Sequence, residues 1–126
     1  GTPPDYPFVL QNEALTYIEH QGPEGCDYMA IAGQVFDMDG NPLLMIPVSV
    51  EGDELFSALD FSGNATRYGA SGYEIYINDR PYVAEFTVQL ISETGMPLSE
   101  EVVVRTSDSC DKNVAIVNFI AVQPLE

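Results

Sequence analysis

Apolar and polar side chains alternate along much of the chain with a period of two. In the stretch 84–90, every second residue from Ala84 to Leu90 is apolar and the residues between them are polar. Successive side chains of a strand point to opposite faces of a sheet, so this pattern predicts a half-buried strand. Five other stretches alternate in the same way or are rich in β-branched and apolar residues, and they are also predicted to be strands: 28–36, 46–50, 73–77, 101–106 and 113–122.

Weaker patterns complete the predicted secondary structure. Residues 6–10 and 14–19 also alternate and are weaker candidates for strands. Residues 53–60 have a helix-like pattern, in which Asp53 is placed to cap the first turn. With Gly, Pro, Asn and Asp between the strands, the sequence predicts an all-β fold, an antiparallel two-sheet β-sandwich of seven to nine strands.

One short pattern occurs twice. In 34–43, a Gln and two apolar residues are followed by Gly40 and then by Pro-Leu, and 89–98 repeats this order 55 residues later with Gly95. Each Gly can adopt a positive φ, and each Pro begins the next strand without needing a ladder N–H. The repetition predicts two similar hairpins.

The charge of the chain excludes some partners. Its 126 residues are 45% hydrophobic, as in a globular domain, and 20 acidic side chains against 4 basic ones give a net charge of −16. Four cations cannot neutralise enough phosphates for useful nucleic-acid affinity, and an anionic membrane surface is disfavoured for the same reason. No apolar run reaches the roughly 20 residues of a spanning helix, so no direct membrane insertion is expected. We interpret the acidic excess as a solvated surface, with calcium or a basic partner as the alternatives.

The two cysteines and the acidic surface indicate an extracellular or cell-surface location. Cys26 and Cys110 are 84 positions apart and are predicted to form one disulfide, the alternative being free thiols. Two cysteines and the single His20 cannot complete a tetrahedral zinc site without carboxylates. Asn64 begins an Asn-Ala-Thr glycosylation pattern, which fits an exposed loop of an exported protein.

Candidate chemistry is sparse. His20 lies in a polar stretch and is predicted to be a solvated surface residue, and no nucleophile, metal-protease or phosphate-loop motif is present, so we do not expect an enzyme. Asp37, Asp39 and Asn41 place oxygen atoms at alternate positions of a turn, where they would suit Ca²⁺. The same residue types favour the turn itself, and we prefer that interpretation. No other cofactor is expected.

Aromatic residues suggest two surfaces. Tyr73 and Tyr76 lie in a stretch rich in Tyr and Arg, the side chains enriched at interface hot spots, although carbohydrate stacking or simple packing are alternatives. Near the N-terminus, Tyr6, Phe8 and Leu10 alternate and could add a strand to a sheet. If that strand pairs within its own chain it is an edge strand. If it pairs with a neighbouring subunit it builds a head-to-tail filament.

The segments 31–37, 39–43 and 48–50 together resemble the opening hairpin of carboxypeptidase-regulatory-like domains. Those domains are prealbumin-like or immunoglobulin-like β-sandwiches of bacterial surface and secreted proteins. The resemblance covers roughly 26–120, and it implies an accessory or structural module without catalytic residues. Later segments of the chain are similar to a narrower group of extracellular bacterial domains. The segments that carry this similarity are 71–74, 87–90, 103–106, Cys110 and 118–119.

These observations define the expected organisation. Residues 26–126 form the sandwich domain, and residues 1–25 are an N-terminal extension that pairs in its own chain or is exchanged between subunits. We expect a non-catalytic extracellular module that associates with itself or with another surface protein. The most specific version of this hypothesis is a filament built by N-terminal strand addition. The alternative is an accessory domain of a larger cell-surface protein that binds carbohydrate or calcium.

Overall fold

A computed structural model of the chain describes residues 6–53 and 55–124. They form two β-sheets packed face to face, which confirms the predicted all-β sandwich and is consistent with an immunoglobulin-like fold. None of the described helices is long and apolar enough to cross a membrane. The strands are β1 (Phe8–Leu10), β2 (Thr16–Ile18), β3 (Met29–Phe36), β4 (Pro47–Gly52), β5 (Ser57–Phe61), β6 (Gly72–Asn78), β7 (Glu85–Leu90), β8 (Val102–Arg105), β9 (Val114–Ile116) and β10 (Phe119–Ala121).

The two sheets differ in strand direction. The smaller sheet has the order β5-β4-β7-β8 and is antiparallel throughout. In the larger sheet, β3 pairs antiparallel with β6 on one side and parallel with β9 and β10 on the other. The strands β2 and β1 pair antiparallel with β9 and β10. The larger sheet is therefore mixed, and this differs from the purely antiparallel sandwich that was predicted.

The predicted strand 113–122 is interrupted at Val117 and Asn118. The Val117 N–H donates to the carbonyl of Ala32 at 2.8 Å, and the Asn118 side-chain Oδ1 accepts the N–H of Gln34 at 2.8 Å. An amide side chain thus replaces a backbone carbonyl in the ladder. This break gives two strands, β9 and β10, in place of one.

The helix predicted over 53–60 is wrong. The Phe56 N–H donates to the Asp53 carbonyl at 3.2 Å, and Leu55 has a φ of 69°, which is outside the right-handed helical region. The strand β5 follows and pairs with β4. The unpredicted β5 and the division of 113–122 explain why the described residues contain ten strands rather than seven to nine.

Strand β3 is buried on both faces, which explains its nearly continuous apolar sequence. Its residues Ile31 and Val35 face the main core between the sheets, with no accessible surface. Its residues Ala30 and Ala32 face the opposite side and belong to a smaller cluster outside the larger sheet. That outer cluster consists of Tyr28, Ala30, Ala32 and Val114, packed against Ile18, Tyr68 and Ile116.

The repeated turns have the same local structure but different roles in the topology. The second, 92–96, joins β7 to β8 as a hairpin of the smaller sheet. The first, 37–41, leads from β3 in the larger sheet to β4 in the smaller one. The prediction of two similar hairpins is confirmed at the turns themselves, because Phe36 bridges Pro42 and Ile91 bridges Pro97 in the same antiparallel way, but only the second turn continues into a ladder between its flanking strands. The first turn carries the chain from one sheet to the other.

Candidate functional site

The edge strands β1 and β2 of the larger sheet lie beside the edge strand β8 of the smaller sheet, and we call this boundary the seam. Two hydrogen bonds between described residues cross it, and Phe8 forms a parallel β-bridge with Ser99 there. The Phe8 N–H donates to the Leu98 carbonyl at 3.1 Å, and the Tyr17 hydroxyl donates to the Arg105 carbonyl at 2.7 Å. We call the depression beside the first of these contacts the seam groove.

The seam groove has an apolar floor and an acidic rim. It is a cavity of about 390 Å³. Phe8 and Phe119 are almost completely buried beneath it, and Leu10 and Val102 are half-buried along it. Three exposed carboxylates line the same cavity, those of Glu13, Glu100 and Glu101.

The strand β8 presents free backbone groups to this seam. The Thr106 N–H donates to the Ala84 carbonyl, so these two residues form a hydrogen-bonded pair at the end of the β7–β8 ladder. Hydrogen-bonded and non-hydrogen-bonded pairs alternate in an antiparallel ladder. The N–H and C=O groups of Val103 therefore point away from β7, as does the Arg105 carbonyl that Tyr17 binds.

The predicted N-terminal interface residues pair within their own chain. Phe8 is opposite Ala121 and Leu10 is opposite Phe119 in the β1–β10 ladder. Phe8 is only 1% exposed, so it belongs to the core of the folded chain. Tyr6 is half-buried, and its carbonyl accepts a hydrogen bond from the Gln123 side chain at 2.9 Å.

The segment between β1 and β2 has an unusual backbone. Gln11–Glu13 forms a single 3₁₀ turn, and within it Asn12 and Glu13 have φ values of 60° and 53°. Positive φ is tolerated by Asn but is uncommon for Glu. We call Gln11–Glu13 the hinge segment.

The two tyrosines predicted for an interface are placed differently. Tyr73 has no accessible surface, and its hydroxyl donates to the Val117 carbonyl at 2.6 Å. It packs between the sheets, and burial raises its pKa. Tyr73 therefore cannot contact a partner of the folded chain. Tyr76 is 52% exposed, and its ring packs at a tilt against Tyr28 with centroids 5.2 Å apart.

The carboxylate of Asp37 organises the turn in which it lies. Its Oδ1 accepts the N–H groups of Asp39 and Asn41, both at 2.9 Å, while Asp39 and Asn41 are exposed. No group of three or more His, Cys, Asp or Glu side chains that could hold a metal ion occurs among residues 6–53 and 55–124. Asp108 and Asp111, which lie near Cys110, precede β9 at the opposite end of β3 from Asp37, so they cannot add ligands to this turn.

The predicted disulfide between Cys26 and Cys110 is present, with the two Cα atoms 5.0 Å apart. It ties the loop before β3 to the 3₁₀ turn Cys110–Lys112, which precedes β9. Both cysteines are exposed. The bond therefore holds together two surface loops at one end of the larger sheet.

His20 is buried, so the prediction of a solvated histidine is wrong. Its ring stacks on Tyr28 with centroids 3.7 Å apart, and its side chain is 1% exposed. The Nε2 lies 2.6 Å from Glu24 Oε1, and the Nδ1 lies 3.4 Å from an Arg67 guanidinium nitrogen. A guanidinium can only donate, so Nδ1 accepts and Nε2–H donates to Glu24. Both ring nitrogens are thus engaged in holding a loop.

Asn113 completes this loop structure and was not singled out from the sequence. Its side chain is 1% exposed. Its Oδ1 accepts the His20 N–H at 2.8 Å, and its Nδ2 donates to the carbonyls of Gly25 and Tyr28 at 3.0 and 3.1 Å. A lone Asn near a cysteine carries no signal of such a role, because all three partners are distant backbone groups.

The predicted glycosylation residue Asn64 is exposed in the turn after β5. Its side-chain nitrogen donates to Asp60 Oδ1 at 3.0 Å. The second oxygen of that carboxylate accepts the N–H of Glu74 at 2.9 Å, so Asp60 links β5 to β6. The neighbouring Tyr68 hydroxyl donates to Glu74, and burial together with that carboxylate raises the pKa of Tyr68.

A scan against protein-family models finds no match to this chain, and a search of curated proteins finds none either.

Proposed function

We propose that the chain is a non-catalytic structural and interaction module of an extracellular protein, and that its copies assemble by exchanging β1. The resemblance of 26–120 to carboxypeptidase-regulatory-like domains supports the first part, since those are accessory modules of surface and secreted proteins. The disulfide between Cys26 and Cys110 supports export, because disulfides persist in oxidising compartments.

The hinge segment is the observation that carries the proposal of assembly. Asn12 and Glu13 hold left-handed backbone conformations when β1 folds back onto its own chain. Such conformations raise the free energy of the folded chain by about 1 kcal/mol or more per residue, and the increase is larger for Glu than for Asn. An extended hinge would release this cost. The freed β1 would then pair with β10 of a neighbouring copy, which is how strained short hinges promote exchange.

Phe8 makes the exchange specific. Its side chain is buried in the core, its backbone pairs with Ala121, and its N–H donates to Leu98. The same contacts form whether β1 comes from the same chain or from another copy, so exchange loses none of them. Reciprocal exchange gives a closed dimer, and one-way exchange gives a head-to-tail filament.

The charge of the chain sets the conditions for assembly. Each copy carries a net charge of −16, so copies repel one another at low ionic strength. Added salt screens this repulsion, with a Debye length of about 8 Å at physiological ionic strength. Assembly should therefore strengthen as the salt concentration rises.

The test is size-exclusion chromatography with light scattering across protein and salt concentrations. The double variant Asn12→Gly/Glu13→Gly relieves the hinge and should favour the monomer. The variant Glu13→Pro cannot adopt a positive φ and should favour assemblies, because proline fixes φ near about −65°. A monomer unchanged in the wild type and in every variant would contradict the proposal, and negative-stain microscopy would distinguish filaments from dimers.

The same samples separate this proposal from that of a calcium-binding accessory domain. If Ca²⁺ raises the melting temperature of the Asn12→Gly/Glu13→Gly variant and a further Asp37→Ser substitution removes that increase, calcium binding at the first turn is supported instead. If Ca²⁺ acts only on assembly, and sodium chloride of equal ionic strength acts equally, charge screening explains the effect.

A further inference from the structure

We propose that the seam groove binds an extended peptide segment of a cationic partner, and that this segment adds as a strand to the free edge of β8. Apart from Glu13, which lies in the hinge segment, the lining of the groove is the same whether β1 comes from its own chain or from another copy. This inference therefore does not depend on strand exchange. It assigns a partner of defined chemistry to a surface that strand exchange leaves open.

The backbone of β8 determines the shape of the ligand. The N–H and C=O groups of Val103 point into the seam, and the Arg105 carbonyl beyond them is already bound by Tyr17. The parallel bridge between Phe8 and Ser99 occupies the edge as far as Glu100, so the available edge runs from Glu101 to Val103. At roughly 3.3 Å per residue, this edge suits the central three or four residues of an extended segment. Main-chain hydrogen bonds to such an edge are the common basis of strand addition.

The floor of the groove determines the side chain that enters it. Phe8 and Phe119 lie beneath the cavity, with the half-buried Leu10 and Val102 along it. The cavity of about 390 Å³ can hold one or two aliphatic side chains. Alternate side chains of an added strand point to the same face, so an apolar residue can enter the groove while its neighbours face the rim.

The rim determines the charge of the partner. Glu13, Glu100 and Glu101 surround the cavity, and all three are exposed. A second copy of this chain is a poor occupant, because it brings a net charge of −16 and only 4 basic side chains. A segment in which Lys or Arg flank an aliphatic residue complements both the floor and the rim.

The experiment measures binding of a defined peptide to the full chain by fluorescence anisotropy. The probe is a fluorescein-labelled, end-blocked peptide of sequence Lys-Val-Lys-Leu-Lys-Val-Lys, and the control peptide has Glu at every Lys position. The double variant Glu100→Lys/Glu101→Lys should bind the probe at least about tenfold more weakly than the wild type. The matched control, Glu19→Lys/Asp79→Lys, makes the same charge change at two exposed residues outside the groove and should weaken binding by less than about threefold.

A second variant tests strand addition separately from charge. Val103→Pro removes the outward N–H of β8 and leaves the rim intact, and proline is tolerated on edge strands. It should lower the affinity while the melting temperature stays close to that of the wild type. The proposal is overturned if the probe does not bind the wild type, if both charge variants lose affinity equally, or if a folded Val103→Pro variant binds as tightly as the wild type.

Discussion

Asp37 and Ser92 occupy the same place in two turns that lie 55 residues apart, and each side chain accepts two backbone N–H groups. Asp37 binds the N–H groups two and four residues ahead at 2.9 Å, and Ser92 binds the corresponding groups at 3.3 and 3.0 Å. Gly40 and Gly95 follow at the same position, with φ values of 83° and 85°. The turn therefore needs an oxygen acceptor at its first residue, and it does not need a carboxylate.

The first prediction follows from this equivalence. Asp37→Ser should lower the free energy of unfolding by less than about 0.5 kcal/mol, because a serine performs the same role in the second turn. Asp37→Ala should cost about 1–2 kcal/mol, because two N–H groups lose their acceptor. Urea unfolding of the two variants, together with Ser92→Ala, gives the comparison. Equal losses for Asp37→Ser and Asp37→Ala would show that the charge of the carboxylate matters more than its hydrogen bonds.

The second prediction concerns Gly33 in the middle of β3. A Cβ atom there would lie 1.9 Å from the Val117 carbonyl oxygen, which is backbone and cannot move aside cheaply. Gly33→Ala should therefore destabilise the fold by about 3 kcal/mol or more. Gly40→Ala is the control, because a Cβ there meets nothing within 4 Å and the cost of a positive φ is only about 1 kcal/mol. Thermal unfolding of both variants measures the difference, and equal effects would contradict the clash.

The strands that the sequence predicted are those with a strong pattern of period two. The alternation in 84–90 and 73–77 marks β7 and β6, because one face of each strand is buried and the other is not. The short β5 was missed because its Leu59 is 52% exposed and its pattern also fits one face of a helix. The break at Asn118 could not be predicted, because it depends on a side chain that replaces a backbone carbonyl.

The candidate site was predictable only in part. The disulfide could be proposed from the even number of cysteines and the acidic composition. The alternating Phe8 and Leu10 marked β1 as a strand. The acidic rim could not be found, because Glu13 is brought beside Glu100 and Glu101 only by the packing of two sheets. His20 looked solvated because its neighbours in sequence are polar, whereas its neighbours in space include Tyr28.

The third prediction concerns the disulfide between Cys26 and Cys110. The chain-entropy account gives a loss of at most about 4–5 kcal/mol when a loop of this length is opened, and native disulfides typically contribute about 2–4 kcal/mol. The double variant Cys26→Ser/Cys110→Ser should therefore melt at a markedly lower temperature than the oxidised chain. The reduced wild type should match that variant. An unchanged melting temperature would mean that the hydrogen bonds of Asn113 alone hold the two loops together.

The fourth prediction is a dependence of stability on pH. The hydrogen bond from His20, assisted by the Glu24 backbone N–H, lowers the pKa of Glu24 below its ordinary value of 4.5. A carboxylate with a lowered pKa stabilises the fold fully above its ordinary pKa, and this contribution is lost as the pH falls through the lowered value. The difference in unfolding free energy between the wild type and Glu24→Gln should therefore be full near pH 5 and shrink below about pH 4.5. Glu19→Gln corrects for the loss of one negative charge, and a difference that grows on acidification would contradict this reasoning.

The fifth prediction tests Asn113 as both acceptor and donor. Asn113→Asp keeps the acceptor for the His20 N–H but removes both donors, and it turns a buried carboxylate toward the carbonyls of Gly25 and Tyr28. Unsatisfied buried groups of this kind cost about 1–3 kcal/mol each, so the loss of unfolding free energy should be about 3 kcal/mol or more.

Asn118→Asp is the matched control. Asn118 Oδ1 accepts the Gln34 N–H, a role that an aspartate also fills, so its loss should stay below about 1 kcal/mol. Urea unfolding ranks the two variants. Equal destabilisation would mean that the added negative charge, rather than the two lost donors of Asn113, dominates.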